Sequence, residues 1–146
     1  MPKLKMVQGA GLTTLALGAP ELSALQATTL TQRQVVSSGA TAATERSVTY
    51  SGPLLREVLR RAGFGSPDDR GARFAVIEAV ATDGYRALFS WGELFNTAVG
   101  DQVLVISSQD GAPLNTVAGP LALRSLADLR AGARHVRNLC ALVVRR

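Results

Sequence analysis

The alternation of hydrophobic and polar positions predicts short β-strands along most of the chain. Segments rich in Val, Thr, Leu and Ile, which favour strands, recur between clusters of Gly, Pro and Asp, which favour turns. Asp83-Gly84 is typical of a two-residue hairpin turn between two of these segments. Strands are predicted for residues 12–17, 28–36, 46–50, 74–81, 85–90, 102–107, 121–124 and 134–144.

Helical spacing appears in few places. One helix is predicted over residues 54–63, because apolar side chains recur three and four residues apart until Gly63 ends the segment. A second helix should begin at Ser90, since Ser90 and Glu93 have the spacing of a capping box. Pro20, followed by ELSAL, suggests a single helical turn.

These elements together predict an α+β fold with a mixed β-sheet and few short helices. The 146 residues have the usual length of one domain, and no repeat or long linker divides them, so residues 1–146 are expected to form a single domain. The helix over residues 54–63 is expected to pack on a sheet that contains residues 74–81 and 134–144.

Composition narrows the class of protein. The hydrophobic share of 47% and the charged share of 18% are typical of a soluble globular protein, and no apolar run reaches the roughly 20 residues of a membrane helix. Lys3 and Lys5 precede an apolar stretch that Thr13 and Thr14 interrupt, so a first strand is favoured over a signal peptide. The compartment, periplasmic or cytoplasmic, is left open.

The net charge of +5 raises the question of an anionic partner. From residue 33 onward the basic residues are interspersed with acidic ones, and aromatic residues make up only 5% of the chain, too few for a base-stacking sheet. We therefore expect no nucleic-acid partner. The charge suits a small anionic ligand or serves solubility.

The sequence contains few residues that could do chemistry. Its single cysteine, Cys140, excludes an internal disulfide and a cysteine-rich metal site within one chain, and no metal ligand is identified. Cys140 is expected to be a small buried residue of the last strand. A Ser-His-Asp hydrolase would need His135, the only histidine, to meet a serine such as Ser107 or Ser125, which the sequence cannot show.

One basic segment is the first candidate for a binding site. The sequence GARHVR from Gly132 to Arg137 combines two guanidinium groups, an imidazole and a glycine that allows close backbone approach, and Arg124 and Arg130 lie just before it. Arginine matches phosphate and similar oxyanions with two parallel hydrogen bonds. Alternatively, the arginines are exposed residues of an edge strand and His135 lies in the core.

A predicted turn is the second candidate. Asp83, Tyr85 and Arg86 place a carboxylate, a phenol and a guanidinium side by side. The alternative is that this turn is purely structural, because a hairpin needs Asp-Gly there. Trp91 is equally open to two interpretations, as a core residue or as a pocket wall.

The order of four segments resembles the molybdopterin-binding domain of the sulfite oxidase family. The segments are YSGPLLREVLRRAG, ATDGYRALFSWGEL, DQVLVISSQDGAPLNTVAGPLALRS and GARHVRNL. The similarity covers about residues 12–144. It implies a fold that cradles a pyranopterin and its phosphate, so molybdopterin is a possible cofactor.

The resemblance also implies a site. Its cofactor-binding residues would be Gly132, Arg134, His135, Val136, Arg137, Asp83, Tyr85 and Arg86. Arg134, His135 and Arg137 are then expected to line one positively charged pocket near the turn that begins at Asp83. In a regular strand His135 and Arg137 would face away from Arg134, so a shared pocket requires an irregular backbone there.

The sequence departs from the family where the catalytic members carry a cysteine that binds molybdenum. That region reads VVSSGATAATERS here, with Ser37 or Ser38 near the place of the thiol. An alkoxide does not replace a thiolate as a soft ligand. Three interpretations follow: a non-catalytic domain that binds cofactor or another anion, a molybdopterin-dependent oxidoreductase with an altered metal ligand, and a scaffold that binds another protein.

Overall fold

The computed structural model describes residues 5–9, 11–18, 22–36, 44–65, 68 and 70–146. Among these residues strands dominate and the α-helices are short, which confirms the α+β composition. The helices are α1, Leu55–Arg61, and α2, Trp91–Asn96. The strands are β1 Lys5–Gly9, β2 Leu12–Ala16, β3 Thr28–Val36, β4 Thr44–Gly52, β5 Val76–Ala81, β6 Arg86–Ser90, β7 Val103–Ile106, β8 Ser108–Gln109, β9 Ala112–Pro113, β10 Ala122–Ser125 and β11 Leu139–Arg145.

The described strands form three sheets. One has the order β1-β2-β11-β5-β6, a second has the order β3-β4-β8-β9, and β7 pairs with β10. All pairs among the described strands are antiparallel, so the prediction of a mixed sheet is wrong. The reason is that strands such as β5 and β6 follow each other through a tight turn, which permits only antiparallel pairing.

Helix α1 supplies one side of the main core. Leu55, Val58 and Leu59 are completely buried and belong to the same cluster as the inward residues of β5 and β11. Each buried side chain contributes roughly 1.5–3 kcal/mol relative to an exposed one. The predicted helix is confirmed, with bounds one or two residues inside those expected.

Helix α2 begins with the predicted capping box. The Ser90 hydroxyl accepts a hydrogen bond from the Glu93 N–H at 3.0 Å, and the Glu93 carboxylate accepts one from the Ser90 N–H at 3.0 Å. Two N–H groups of the first turn, which have no partner within the helix, are thereby satisfied. Strand β6 therefore passes into α2 without a connecting loop.

A second, smaller core lies between the four-stranded sheet and the pair β7–β10. Val48, Tyr50, Leu54, Leu104, Ile106 and Ala122 form it. The backbones of β4 and β7 approach so closely that a Cβ on Gly52 would overlap the carbonyl group of Val105. The candidate site described below lies on the edge of this second core, and Tyr50, Ile106 and Ala122 are shared with it.

The last predicted strand begins later than expected. Residues Ala131–Arg134 form a turn of 3-10 helix, and Val136 pairs with Leu123 through two backbone hydrogen bonds of 2.8 and 2.9 Å. Asn138 then adopts a positive φ of 52°, which redirects the chain into β11. The prediction of one strand over residues 134–144 is therefore wrong for its first five residues.

Two further predictions are adjusted. The predicted strand over residues 74–81 begins at Val76, since Arg70–Phe74 is a turn of 3-10 helix. Pro20 lies outside the described residues, so the start of the helical turn predicted there is not described. Within the described part of the chain, no helix is long and apolar enough to cross a membrane.

Candidate functional site

Arg124 on β10 is the residue around which the candidate site is built. Its guanidinium carbon lies 5.1 Å from the centre of the Tyr50 ring. Nη1 lies 3.4 Å from the Gln32 side-chain oxygen, and Nη2 lies 3.4 Å from Nδ1 of His135. No salt bridge among the described residues involves Arg124, and its buried Nε has no hydrogen-bond partner there. The guanidinium therefore keeps unused capacity to donate hydrogen bonds.

The contact with Arg124 fixes the protonation of His135. A guanidinium can only donate, so Nδ1 of His135 must accept and the proton of the neutral ring lies on Nε2. Burial of the ring, followed by the positive charges of Arg124 and Arg137, lowers the pKa of His135 from 6.5 to about 4. At neutral pH His135 is thus an uncharged ring that offers an Nε2–H donor.

A depression of about 300 Å³ opens beside these groups. Arg124 and Arg137 contribute its positive charge, His135 adds a hydrogen-bond donor, and its described lining contains no carboxylate. Amide side chains and a phenol add further polar groups, and apolar side chains complete the wall. The remaining lining residues are Gln34, Tyr50, Ile106, Gln109, Leu114, Asn115, Val117, Ala118 and Ala122. We call this space the basic depression.

A second depression, of about 310 Å³, adjoins the first. It is lined by Asp83, Tyr85, Gly132, His135 and Arg137, so His135 and Arg137 belong to both. The Tyr85 hydroxyl donates a hydrogen bond to the Ala133 carbonyl, and the Asp83 carboxylate accepts one from the Tyr85 N–H at 2.9 Å. These bonds join the turn between β5 and β6 to the segment before His135. We call this space the turn depression.

Arg134 does not join the other predicted residues. Its guanidinium makes two hydrogen bonds of 2.6 and 2.8 Å to Asp128 and one of 3.0 Å to Glu93. It also donates to the Leu88 carbonyl at 3.2 Å and stacks 4.3 Å above the Phe89 ring. The predicted pocket of Arg134, His135 and Arg137 is therefore wrong for Arg134, which ties the turn at residues 131–134 to the edge of β6.

Val136 and Arg86 also lie outside both depressions. Val136 is completely buried opposite Leu123, because its backbone pairs with that residue. The Arg86 guanidinium bonds to Glu78 at 2.6 Å on the sheet face, and Arg145 approaches the same carboxylate at 2.6 Å. Together the two arginines lower the pKa of Glu78, the bond from Arg145 having the largest effect. The structure thus places Arg86 in an ion pair, and Arg86 does not share the lining of either depression with His135 and Arg137.

The backbone conformation explains why His135 and Arg137 line the depressions and Val136 does not. His135 is extended, with φ −94° and ψ 110°, and Val136 pairs with Leu123 as a strand residue. In extended backbone, neighbouring side chains point to opposite sides. His135 and Arg137 therefore share one side, whereas Val136 points into the core.

The wall of the basic depression is held by two asparagines. The Asn115 side-chain oxygen accepts hydrogen bonds from the N–H groups of Val117 and Ala118 at 3.1 and 2.9 Å. Asn138 donates from its side chain to the Val117 carbonyl and from its backbone to the Ala118 carbonyl, each at 2.8 Å. The loop that closes the basic depression is thereby fixed to the segment that carries Arg137.

The other candidate residues have structural contacts. Cys140 is half-buried on β11, where its thiol donates to the Val80 carbonyl at 3.4 Å. Trp91 donates to the Phe64 carbonyl at 3.1 Å and stacks on Phe95. Ser125 donates to Asp128 at 2.8 Å.

None of these side chains, nor Ser107, lines either depression with His135. Ser37 and Ser38 lie outside the described residues. In the described part of the chain, no three His, Cys, Asp or Glu side chains form a group that could hold a metal ion.

Several lining residues were not predicted from the sequence. Gln34, Tyr50, Gln109 and Asn115 come from β3, β4, β8 and a loop, far along the chain from His135. Arg124 was noticeable only as one more basic residue before the GARHVR segment. The available signal was its position in an otherwise buried strand, where a charged side chain needs a partner.

Comparison with known proteins adds no family assignment. No protein-family model matches the chain, and no curated protein shows significant similarity to it.

Proposed function

We propose that this chain is a non-catalytic domain that binds a small anion, or the anionic group of a cofactor, in the basic depression. The observation that supports this most strongly is that Arg124, half-buried beside His135, has no carboxylate partner among the described residues. Arg137 on the same depression has none either. An anion would supply the missing charge and acceptors.

Three arginines that contact neighbouring elements provide the contrast. Arg134, Arg86 and Arg145 each bond to a carboxylate on a neighbouring element. A guanidinium taken partly out of water without a counter-charge loses solvation, and a bidentate oxyanion offsets that loss well. Arg124 is thus a place where a bound anion would stabilise the fold, and the exposed Arg137 adds a second guanidinium to the same depression.

A pterin phosphate is one candidate ligand, by the resemblance to the sulfite oxidase family. Its phosphate is of the right charge for the basic depression, and Gly132, Asp83 and Tyr85 would face the part of the ligand that extends into the turn depression. A molybdenum-bearing cofactor would supply oxygen-atom transfer. The residues fit the phosphate better than the metal, because Cys140 lies outside both depressions. We therefore favour a non-catalytic domain over an oxidoreductase with an altered metal ligand.

A scaffold for another protein is the remaining interpretation. It predicts no pocket beside Arg134 and Arg137, whereas two depressions adjoin Arg137. This geometry favours a small ligand over a protein partner. Concave sites with a few converging polar groups are the usual form of small-molecule sites.

Isothermal titration with inorganic phosphate at low ionic strength tests the proposal. Arg137→Gln should weaken phosphate binding by about 1.5–3 kcal/mol, the range for a charged hydrogen bond, and added salt should weaken binding to the wild type. Arg73→Gln is the matched control, since Arg73 is exposed, lines neither depression and carries the same charge. Equal affinities for wild type and Arg137→Gln would reject the proposal, as would an absence of phosphate binding.

A further inference from the structure

The two depressions share Arg137 but differ in their other charged side chain. The basic depression holds Arg124, and the turn depression holds Asp83, the one carboxylate in the described lining of either. Asp83 accepts the Tyr85 N–H through one oxygen and has no ion pair in the described part of the chain. His135 and Arg137 line both spaces, so the depressions adjoin each other.

From this charge distribution we propose that the site binds a ligand with an anionic group at one end and an amino group at the other. The anionic group lies beside Arg124 and Arg137, and the amino group lies beside Asp83. This inference rests on the proposed function, because it divides the same site into two parts and assigns chemistry to the second.

Hydrogen-bonding capacity supports an amino group at the turn. The Tyr85 hydroxyl donates its hydrogen bond to the Ala133 carbonyl, so its oxygen can only accept a hydrogen bond from a ligand. An ionised Asp83 also only accepts. The turn depression is thus lined by two side chains that can accept hydrogen bonds, which are complementary to an ammonium group with its three donors.

Space at Gly132 supports a ligand that extends this far. Gly132 lies on the turn depression, and a Cβ built on it would meet no atom within 4 Å. The protein itself therefore leaves the surface beside Asp83 and Tyr85 open. Because Arg137 also lines the turn depression, a ligand bound at Arg137 lies next to this surface.

The test uses ω-aminoalkyl phosphates with chains of two, four and six carbons, each compared with the alkyl phosphate of equal length. Isothermal titration measures every dissociation constant. At one chain length the amino compound should bind about fivefold tighter than its amine-free partner, as expected for a partly exposed charge pair. That length then reports the separation of the two ends of the site.

Asp83→Asn identifies the group responsible. Asparagine retains the side-chain oxygen that accepts the Tyr85 N–H, so the turn should keep its conformation, which an unchanged melting temperature would verify. This substitution should abolish the gain of each amino compound over its amine-free partner.

The outcomes separate this inference from the proposed function. If phosphate binds but no amino compound gains over its partner, the inference is overturned and the anion site stands. The inference is also overturned if the gain from the amino group survives in Asp83→Asn. Equal strengthening of the aminoalkyl phosphate and of its amine-free partner in this variant has the same meaning, because Asp83 would then act only as a general negative charge. A failure of phosphate to bind overturns both.

Discussion

Nδ1 of His135 lies 3.4 Å from Nη2 of Arg124, and the ring has a second positive neighbour in Arg137. A protonated ring would place a third positive charge in the basic depression. Burial and these two charges therefore hold the pKa of His135 near 4. Because His135 is the only histidine in the sequence, its ring signals are unambiguous in an NMR spectrum.

The first prediction concerns this pKa. A pH titration of the His135 ring protons should give a pKa near 4, and phosphate in the depression should raise it by offsetting the positive charge. Arg124→Gln should also raise it, while Arg73→Gln should leave it unchanged. A pKa near 6.5 in the wild type would contradict the burial and charge environment described for the ring.

The second prediction follows from linkage. The folded state holds the pKa of His135 below 6.5, so between pH 6.5 and 4 the unfolded chain binds more protons than the folded chain. The free energy of unfolding therefore decreases as the pH is lowered through this window. Between pH 7 and pH 5 the loss should be on the order of 1–2 kcal/mol. The carboxyl groups of Asp128 and Glu78 stay ionised in this window, because hydrogen bonds from arginines lower both pKa values.

Urea denaturation at pH 7 and pH 5 measures the effect. His135→Gln should lose this part of the pH dependence, because glutamine does not titrate. If wild type and His135→Gln show the same change in unfolding free energy between the two pH values, His135 is not held neutral by its surroundings.

The third prediction separates Arg134 from the site. Its side chain satisfies Asp128, which is 15% exposed, and also bonds to Glu93. Arg134→Gln should lower the free energy of unfolding by about 2–3 kcal/mol, because a half-buried carboxylate loses its partner. Arg33→Gln should cost under about 0.5 kcal/mol, since Arg33 and Glu45 form an exposed pair. Equal costs for the two variants would contradict the structural role.

Local patterns explain which parts of the fold were predictable. The helix α1 follows from the spacing of Leu55, Val58 and Leu59, and the start of α2 follows from Ser90 and Glu93. In each case the signal and the element it forms lie within a few residues. Such contacts depend little on the rest of the chain, so the sequence alone predicts them.

The site depends on contacts between distant residues. Gln32, 92 positions before Arg124, approaches its guanidinium, and nothing in either local sequence indicates that proximity. The ionic partners of Arg134 also come from different elements. In a regular strand Arg134 would face away from Arg137, but Ala131–Arg134 is a 3-10 turn, and the bonds of Arg134 to Asp128 and Glu93 decide its position.

The fourth prediction tests the packing of α1 with two equal truncations. Leu55 is completely buried, whereas Leu88 on β6 is 54% exposed. Leu55→Ala should lower the free energy of unfolding by about 2–5 kcal/mol through lost burial and a cavity. Leu88→Ala should cost less than about 1 kcal/mol. Chemical denaturation measures both, and a cost for Leu55→Ala as small as that for Leu88→Ala would show that α1 does not face the core.

The last prediction uses two glycines to separate packing from ligand contact. Gly132 has no atom within 4 Å of a built Cβ and its φ lies outside the left-handed region, so Gly132→Ala should change the free energy of unfolding by less than about 0.5 kcal/mol. At Gly100 a Cβ would overlap the backbone carbonyl of Leu94, so Gly100→Ala should cost several kcal/mol. Thermal melts compare the two variants.

Gly132 lines the turn depression, and a methyl group added there would meet no protein atom within 4 Å. Gly132→Ala should therefore weaken the binding of the best aminoalkyl phosphate several-fold and leave inorganic phosphate unaffected, because phosphate binds beside Arg124. If Gly132→Ala lowers the free energy of unfolding as much as Gly100→Ala does, the turn at residues 131–134 is packed more tightly than described. Unchanged binding of both ligands would place the amino group away from Gly132.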